Sequence, residues 1–489
     1  MKKIFCLIIS TIFLTALPAQ EKTRSDSLSR GDTITYNAPS KKPWKAATIG
    51  FGINMGVWGF NRFVKNADFA HINWQTIKNN LQTWPVWDTD QFGTNLLAHP
   101  YHGSLYFNAA RSNGYSFYQS APFTLAGSLM WEFAMENEPP SRNDLTATTI
   151  GGIALGEITF RSSDLILDNR ATGSERFWRE FIAGAIAPSR LISRLTSGEA
   201  WQYSSHKGNV EPVMPVRGNV NFGGRYITDQ DESKSPGISF GIGMEYGDVF
   251  EEELEKPYEW FQAKLQADLI SGSFIVKQVS VLGALRTWEL YNRNNWQVLG
   301  GFFQHFDYFN SKVIKRDSSV LTPYYISEAA ALGPGVLAEK TGKKFNFRGQ
   351  YYINGIALGG SISDHFKIDN RDYNMGSGYS IKIFNEFSLS SKWKFLLGFE
   401  NYRIFTWKGI DEAINFKDLT KHEMNYLNLQ GDKSDANLYL LTSGIRYNLP
   451  KKWHIGFERH RYIRKTSYRY MPNVKYTAWD DYLSVGVRF

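Results

Sequence analysis

Cysteine is all but missing from this chain. Cys6 is the only one, and it lies in an apolar N-terminal segment expected to be removed. Disulfides and thiolate chemistry therefore drop out of consideration. There is no phosphate-binding glycine loop, and neither His-Glu-x-x-His nor Glu-x-x-His is present, so the recognised zincin and di-iron spacings are absent too. Charge of one sign is not concentrated anywhere. Lys and Arg number 55 against 47 Asp and Glu, and the formal charge of +8 is scattered, so no nucleic acid is expected as a partner. That excess instead suits outer-membrane lipid and lipopolysaccharide, whose headgroups are anionic. Apolar runs are short as well. Ala46 to Phe60 is uncharged but too short for a comfortable membrane span. The mean hydropathy of −0.36 argues against a bundle of spanning helices.

Aromatic residues, by contrast, are plentiful at 15%, which is natural where rings line two membrane interfaces. Lys2 and Lys3 followed by the apolar stretch Ile4 to Leu17 and the small residues around Ala19 predict a signal peptide over 1–19. Residues 20–42 are polar and read as a disordered linker. From 43 to 200 the apolar period is helical, with helices expected at 45–64, 91–112, 120–137, 143–168 and 174–196. This helical domain is expected at the periplasmic mouth of a C-terminal barrel, or as a plug inside it.

From 215 to 489 the period is two. Ile238, Phe240, Ile242, Met244 and Tyr246 alternate with Ser239, Gly241, Gly243 and Glu245, and Trp393, Phe395, Leu397 and Phe399 alternate with Lys394, Leu396, Gly398 and Glu400. Twelve strands are expected, at 218–227, 238–247, 258–270, 274–290, 295–310, 324–340, 344–359, 378–390, 393–408, 436–449, 453–470 and 475–489. Tight connections at Ser391-Lys392 and Pro450-Lys452 alternate with longer polar ones at 365–377 and 409–435, as periplasmic turns alternate with outer loops. The final strand carries Leu483, Val485, Val487 and Phe489 on one face, and its terminal aromatic resembles the C-terminal strand recognised by the barrel-assembly machinery. The fold class expected is mixed α and β: an N-terminal helical domain followed by an antiparallel transmembrane β-barrel of about 12 strands. Lipid offers no hydrogen bonds to an open edge, so the sheet must close. That places the chain in the bacterial outer membrane.

A string of motifs runs through both parts: Ala98-His99-Pro100-Tyr101-His102-Gly103, Trp131-Glu132-Phe133, Pro140-Ser141 with Asp144, Gly151-Gly152 with Gly156-Glu157, and Gln304-His305-Phe306-Asp307-Tyr308. Over roughly residues 60 to 330 the chain resembles an uncharacterised family of outer-membrane proteins common in Bacteroidetes-type bacteria. The resemblance implies location and architecture and brings no catalytic residues.

Candidate chemistry must then come from the residues themselves. His99 and His102 share a helix face, as do Glu132 and Glu136, while Asp144 opens a helix and Glu157 lies in it. Two imidazoles and several carboxylates converging in a helix bundle suit Zn, Fe or Mn, or general acid–base work on a lipid ester. The same residues also suit a structural network, with Glu136 paired to Arg111 and Glu132 accepting from His99 or Trp131. In the barrel, His305, Asp307, Ser327 and Glu328 are expected as a luminal polar cluster, and His454, Glu458 and His460 as an inward row. No cofactor is expected. The residues suit two functions. The first is a non-enzymatic envelope protein that organises the envelope or passes a small or lipidic molecule. The alternative is a lipid hydrolase or acyltransferase using the His/Glu cluster.

Overall fold

The structure is a computed structural model that describes residues 40–211, 214–230, 234–251, 254–270, 273–311, 313–314, 320–367, 371–410 and 428–489. The expected signal peptide with Cys6, residues 20–39 of the expected linker, and 411–427 of the expected outer loop lie outside the described residues.

The strands are β1 (Val216–Asp229), β2 (Lys234–Tyr246), β3 (Phe261–Ile270), β4 (Ser273–Arg293), β5 (Trp296–Asn310), β6 (Tyr325–Lys340), β7 (Phe345–Ile362), β8 (Tyr373–Leu389), β9 (Trp393–Phe405), β10 (Ser434–Asn448), β11 (Trp453–Tyr468) and β12 (Val474–Arg488). Each pairs antiparallel with its neighbours in sequence, and β1 pairs with β12, so the twelve strands form one closed barrel. Closure continues into the last residue, where the Phe489 and Gly218 backbones exchange hydrogen bonds of 3.0 and 3.3 Å. A Cβ on Gly218 would lie 2.2 Å from the Phe489 ring, so this seam requires glycine. The rim holding the C-terminus has tight turns at Asn294-Asn295, Ser390–Lys392 and Leu449–Lys452. The opposite rim has the connections 311–324, 363–372 and 406–433, while the rim holding the C-terminus carries one further long connection, 247–260. Short turns face the periplasm in such barrels.

The alternation assigns the faces. Glu245, Gln262, Lys264, His305, Asp307, Arg348, Lys382, Lys394, Glu400 and Glu458 line a cavity of about 940 Å³ inside the barrel. Their neighbours in each strand therefore point outward, and Phe222, Ile353, Leu397, Ile445, Leu483 and Val485 are exposed there.

The lumen is crossed rather than open. In its outer half, Phe309, Tyr324, Ile326, Tyr402, Leu438, Leu440 and Tyr462 pack together, and Tyr324 stacks on Tyr462 at 3.8 Å. A charged layer adjoins this packing. Arg225 bridges Asp480 at 2.7 Å and Asp268 at 2.9 Å, Lys277 joins Asp480, and Lys382 joins Asp307 and Glu328. The 940 Å³ cavity thus lies on the C-terminal side of these contacts.

The helices are α1 (Pro43–Gly59), α2 (Trp74–Gln82), α3 (His99–Arg111), α4 (Phe117–Ala134), α5 (Arg142–Thr146), α6 (Gly152–Ile166), α7 (Gly173–Ile186) and α8 (Pro188–Ser197), with wider π-turns preceding α3 and α6. The expected single helix at 174–196 is two, because Ala187 leaves helical geometry before Pro188. The expected 91–112 and 143–168 helices are each broken by a π-turn, and α2 was not expected at all.

A helical plug differs from what the structure shows. Among the described residues no helical side chain lines the luminal cavity. The helices meet the barrel through residues on the opposite side of the wall from His305 and Asp307. Gln304 donates to the Ile150 carbonyl at 3.0 Å, and Phe92 stacks on Tyr308 and Tyr325 at 5.1 and 4.6 Å. Phe107, Leu155, Phe261, Val281, Phe306 and Tyr373 share one apolar core with them. The physical reason is the outward apolar face itself: β3 to β8 offer it a partner, whereas the lumen is already filled with paired charges.

Candidate metal centre in the helical domain

The centre forms where α4 ends and α5 and α3 begin. Ser141 caps α5, its hydroxyl accepting from the Asp144 backbone N–H at 3.1 Å, which holds Asp144 in the first turn. The Ser141 N–H donates to Glu132 Oε2 at 2.8 Å and fastens the end of α4 to the start of α5. His99 emerges from the π-turn Thr94–Ala98 at the first residue of α3, where Pro100 is tolerated because its missing N–H has no intrahelical partner to lose. His99 Nε2 then lies 3.6 Å from Asp144 Oδ2, and Thr148 Oγ1 is 3.4 Å from His99 Nδ1. One ligand atom each from His99, Glu132 and Asp144 falls within 4.8 Å of the others.

Asp88 completes the acidic group. It accepts from Asn95 Nδ2 at 2.6 Å and from Asn143 Nδ2 at 3.0 Å, and Asn143 also donates to Asp144 at 2.9 Å. Burial pushes the Asp88 carboxyl up, but Asp144, His99 and Asn95 together hold it below its ordinary value. Three carboxylates therefore crowd around one imidazole, and among the described residues no Lys or Arg forms an ion pair with Asp88, Glu132 or Asp144. One nitrogen and two or three oxygens in this arrangement match the donor preferences of Zn, Mn or Fe. The side chain of His99 is 12% exposed, so the edge of the centre reaches the surface.

The other expected residues are placed elsewhere. His102 Nε2 is 2.9 Å from Tyr106 Oη, and its ring lies against Trp131. Glu136 accepts from Trp131 rather than pairing with Arg111. Glu157 is at the other end of the bundle, bound by Arg111 at 2.7 and 3.0 Å and by Arg161 at 2.8 Å. In the lumen, His305, Asp307 and Glu328 surround Lys382, but Ser327 lies between two inward residues of β6 and so points to the other face, its hydroxyl donating to the Asp307 carbonyl at 2.8 Å. His454 contacts Asn221 at 2.8 Å, and His460 lies 3.0 Å from Thr442 and 3.6 Å from Glu458. Sequence reasoning missed Asp88, Asn95 and Asn143 at the centre and Lys382 and Glu400 in the lumen. The acidic Asp88-Thr89-Asp90 just before a helix was the available signal for the first.

A closed, even-numbered antiparallel barrel with an apolar outer face is the architecture of bacterial outer-membrane proteins, and it places this protein in that membrane. Solved outer-membrane structures show low similarity over just over half of this chain. A NanC porin is 12% identical over 55% of this chain and 98% of its own, with a TM-score of 0.26. An outer-membrane channel from Pseudomonas putida F1 is 6% identical over 57% and 97%, with a TM-score of 0.28. The toluene transporter TodX of Pseudomonas putida is 7% identical over 57% and 89%, with a TM-score of 0.22. Likeness of this degree carries no argument about fold or function. Comparison with curated proteins gives no match. Residues 84–189 match the family model of a domain of unknown function, DUF3943, so the similar region holds His99, Glu132 and Asp144 and stops short of the barrel.

Proposed function

We propose that the barrel is a closed scaffold and that the protein acts through its helical domain, where His99, Glu132 and Asp144 hold a divalent transition-metal ion. The observation that carries this reading is the convergence of three buried ligand atoms, one each from His99, Glu132 and Asp144, within 4.8 Å of one another. A bound metal would polarise a carbonyl or phosphoryl oxygen and lower the pKa of water. The chain's own groups prepare that site. Thr148 and Asp144 hold the His99 ring, Ser141 orients Glu132, and Asn143 braces Asp88 against Asp144. Since the domain sits against the outer side of the barrel wall, an ester or phosphoester of membrane lipid is the substrate class that suits it. Passage through the lumen is the less favoured reading, because Tyr324, Tyr462 and the Arg225–Asp480–Lys277 group join opposite walls.

The experiment is metal loading. Purified full-length protein, stripped with chelator and dialysed against Zn²⁺ or Mn²⁺, should retain stoichiometric metal by plasma mass spectrometry. His99→Ala and Asp144→Asn should lose it, and Glu175→Gln on the surface of α7 should not. Fatty-acid release from outer-membrane lipid should rise with the metal and vanish in Glu132→Gln. A folded wild type that retains no metal overturns the centre.

A further inference from the structure

The helical domain is built inside out. In α4 the buried side chains are Ser120, Thr124, Ser128 and Glu132 alongside Phe117 and Trp131, while Tyr118, Leu125 and Leu129 are exposed. In α7 and α8 the buried polar side chains are Arg176, Glu180, Ser189, Arg190, Ser193 and Arg194, beside the apolar Ile182 and Ala183, and the large apolar side chains Phe177, Trp178, Phe181, Ile192 and Leu195 are exposed. In α1, Asn54 is buried beside Ala46, Ile49 and Ile53, and Phe51, Met55 and the following Phe60 are exposed. The buried charges are paired: Arg194 with Glu180 at 2.7 Å, Arg161 with Glu157 at 2.8 Å, and Arg190 with Asp164. A domain standing in water would present the opposite arrangement.

We infer that the outward faces of these helices are immersed in the acyl chains of the outer membrane, beside the barrel. Three further observations fit that one occupant. The first is continuity, because the helices dock on the wall's outward side, the same side that exposes Leu483, Val485 and Ile353 to lipid. The second is height. At one end Trp87 bonds to Asn428 and Arg371 to the Asp88 carbonyl, on the long-loop rim. At the other end Arg161 bonds to Pro257 and Lys256 to Glu211, near the start of the barrel. Helix α1 has 17 residues and α4 has 18, or about 25 Å each, close to the roughly 25 Å apolar band of such barrels. The third is the ends themselves. Asn66, His71, Gln75, Lys78 and Asn79 are exposed around α2, with Trp74 and Trp84, and Lys41, Lys42, Arg170 and Glu175 are exposed at the other end, with Trp44, Trp201 and Tyr203. Polar caps flanked by aromatic rings bracket the apolar faces, as at two membrane interfaces.

No helix among the described residues is long and apolar enough to cross a membrane alone. The inside-out build explains why: averaging around each helix mixes its lipid face with its polar inner face. The buried arginines of the bundle are paired with Glu157, Asp164 and Glu180, as charges held in lipid require.

The test uses spin labels on full-length protein in phosphatidylcholine vesicles. In a Cys6→Ser background, Leu125→Cys and Phe181→Cys sample two helices, Leu483→Cys marks the barrel's lipid face, and Lys78→Cys marks the polar cap. Heat-modifiable migration selects folded samples. Labels at 125 and 181 should collide with oxygen as readily as the label at 483 and lose collisions with aqueous nickel chelate relative to 78. Nickel access equal to that at 78 would put the domain in water, and exclusion of both reagents would mean that protein covers the face. Either result overturns the inference, and neither depends on whether the centre binds metal.

Discussion

Glu157 is the residue on which the lower half of the helical domain turns. Its two oxygens serve Arg111 and Arg161, and Arg111 reaches on to Glu211 at 3.0 Å. All three groups around it are almost wholly buried. Replacing one member of a buried ion-pair network leaves the others uncompensated, at a cost of about 3–5 kcal/mol. Glu157→Gln should therefore lower the midpoint of denaturant unfolding of the helical domain, followed by tryptophan fluorescence, far more than Glu175→Gln, whose carboxylate is 63% exposed on α7 and whose ion pair is worth about 0–1 kcal/mol. Equal effects would show that the network carries no stability. The same logic separates the ends of the bundle. Glu157 has two guanidinium partners, whereas among the described residues Glu132 and Asp144 have none.

At the scale of elements, the contact between α3 and α6 depends on two small residues. A Cβ on Gly103 would lie 1.8 Å from the Thr148 carbonyl oxygen, and one on Gly152 would lie 2.6 Å from the Gly103 Cα. Gly103→Ala must push the two helices apart, an overpacking of about 1–3 kcal/mol. Because His99 leads α3 and Thr148 sits in the turn before α6, this substitution should also weaken metal retention although it touches no ligand. Retention at the wild-type level would show that the crossing does not set the centre. The strands were legible in the sequence. A period of two, repeated over β1 to β12, survives any choice of partner because each strand has one wet and one apolar face. The helices were less legible. α2 is short and polar, α7 and α8 read as one because an amphipathic period continues across Ala187-Pro188, and the inside-out arrangement is invisible to a pattern that says only that faces differ. The pairing of Arg111 with Glu157 rather than Glu136 is a fact of helix order, which periodicity does not contain.

At the scale of the whole molecule, the barrel and the bundle divide the work. The barrel closes through Phe489 and fills its outer half with aromatic rings and paired charges, while the bundle lies on its outward side with its own polar interior. A plug would make conductance depend on the helices, whereas here side chains of the wall meet across the outer half of the lumen. The most direct measurement is the conductance of the intact protein in planar bilayers, beside a Tyr324→Ala/Tyr462→Ala variant. The wild type should stay at the bilayer baseline, and removal of the stacked pair, with the helical domain intact, should raise the conductance. Sustained open-channel currents from the folded wild type would contradict a closed scaffold and return the function to the lumen.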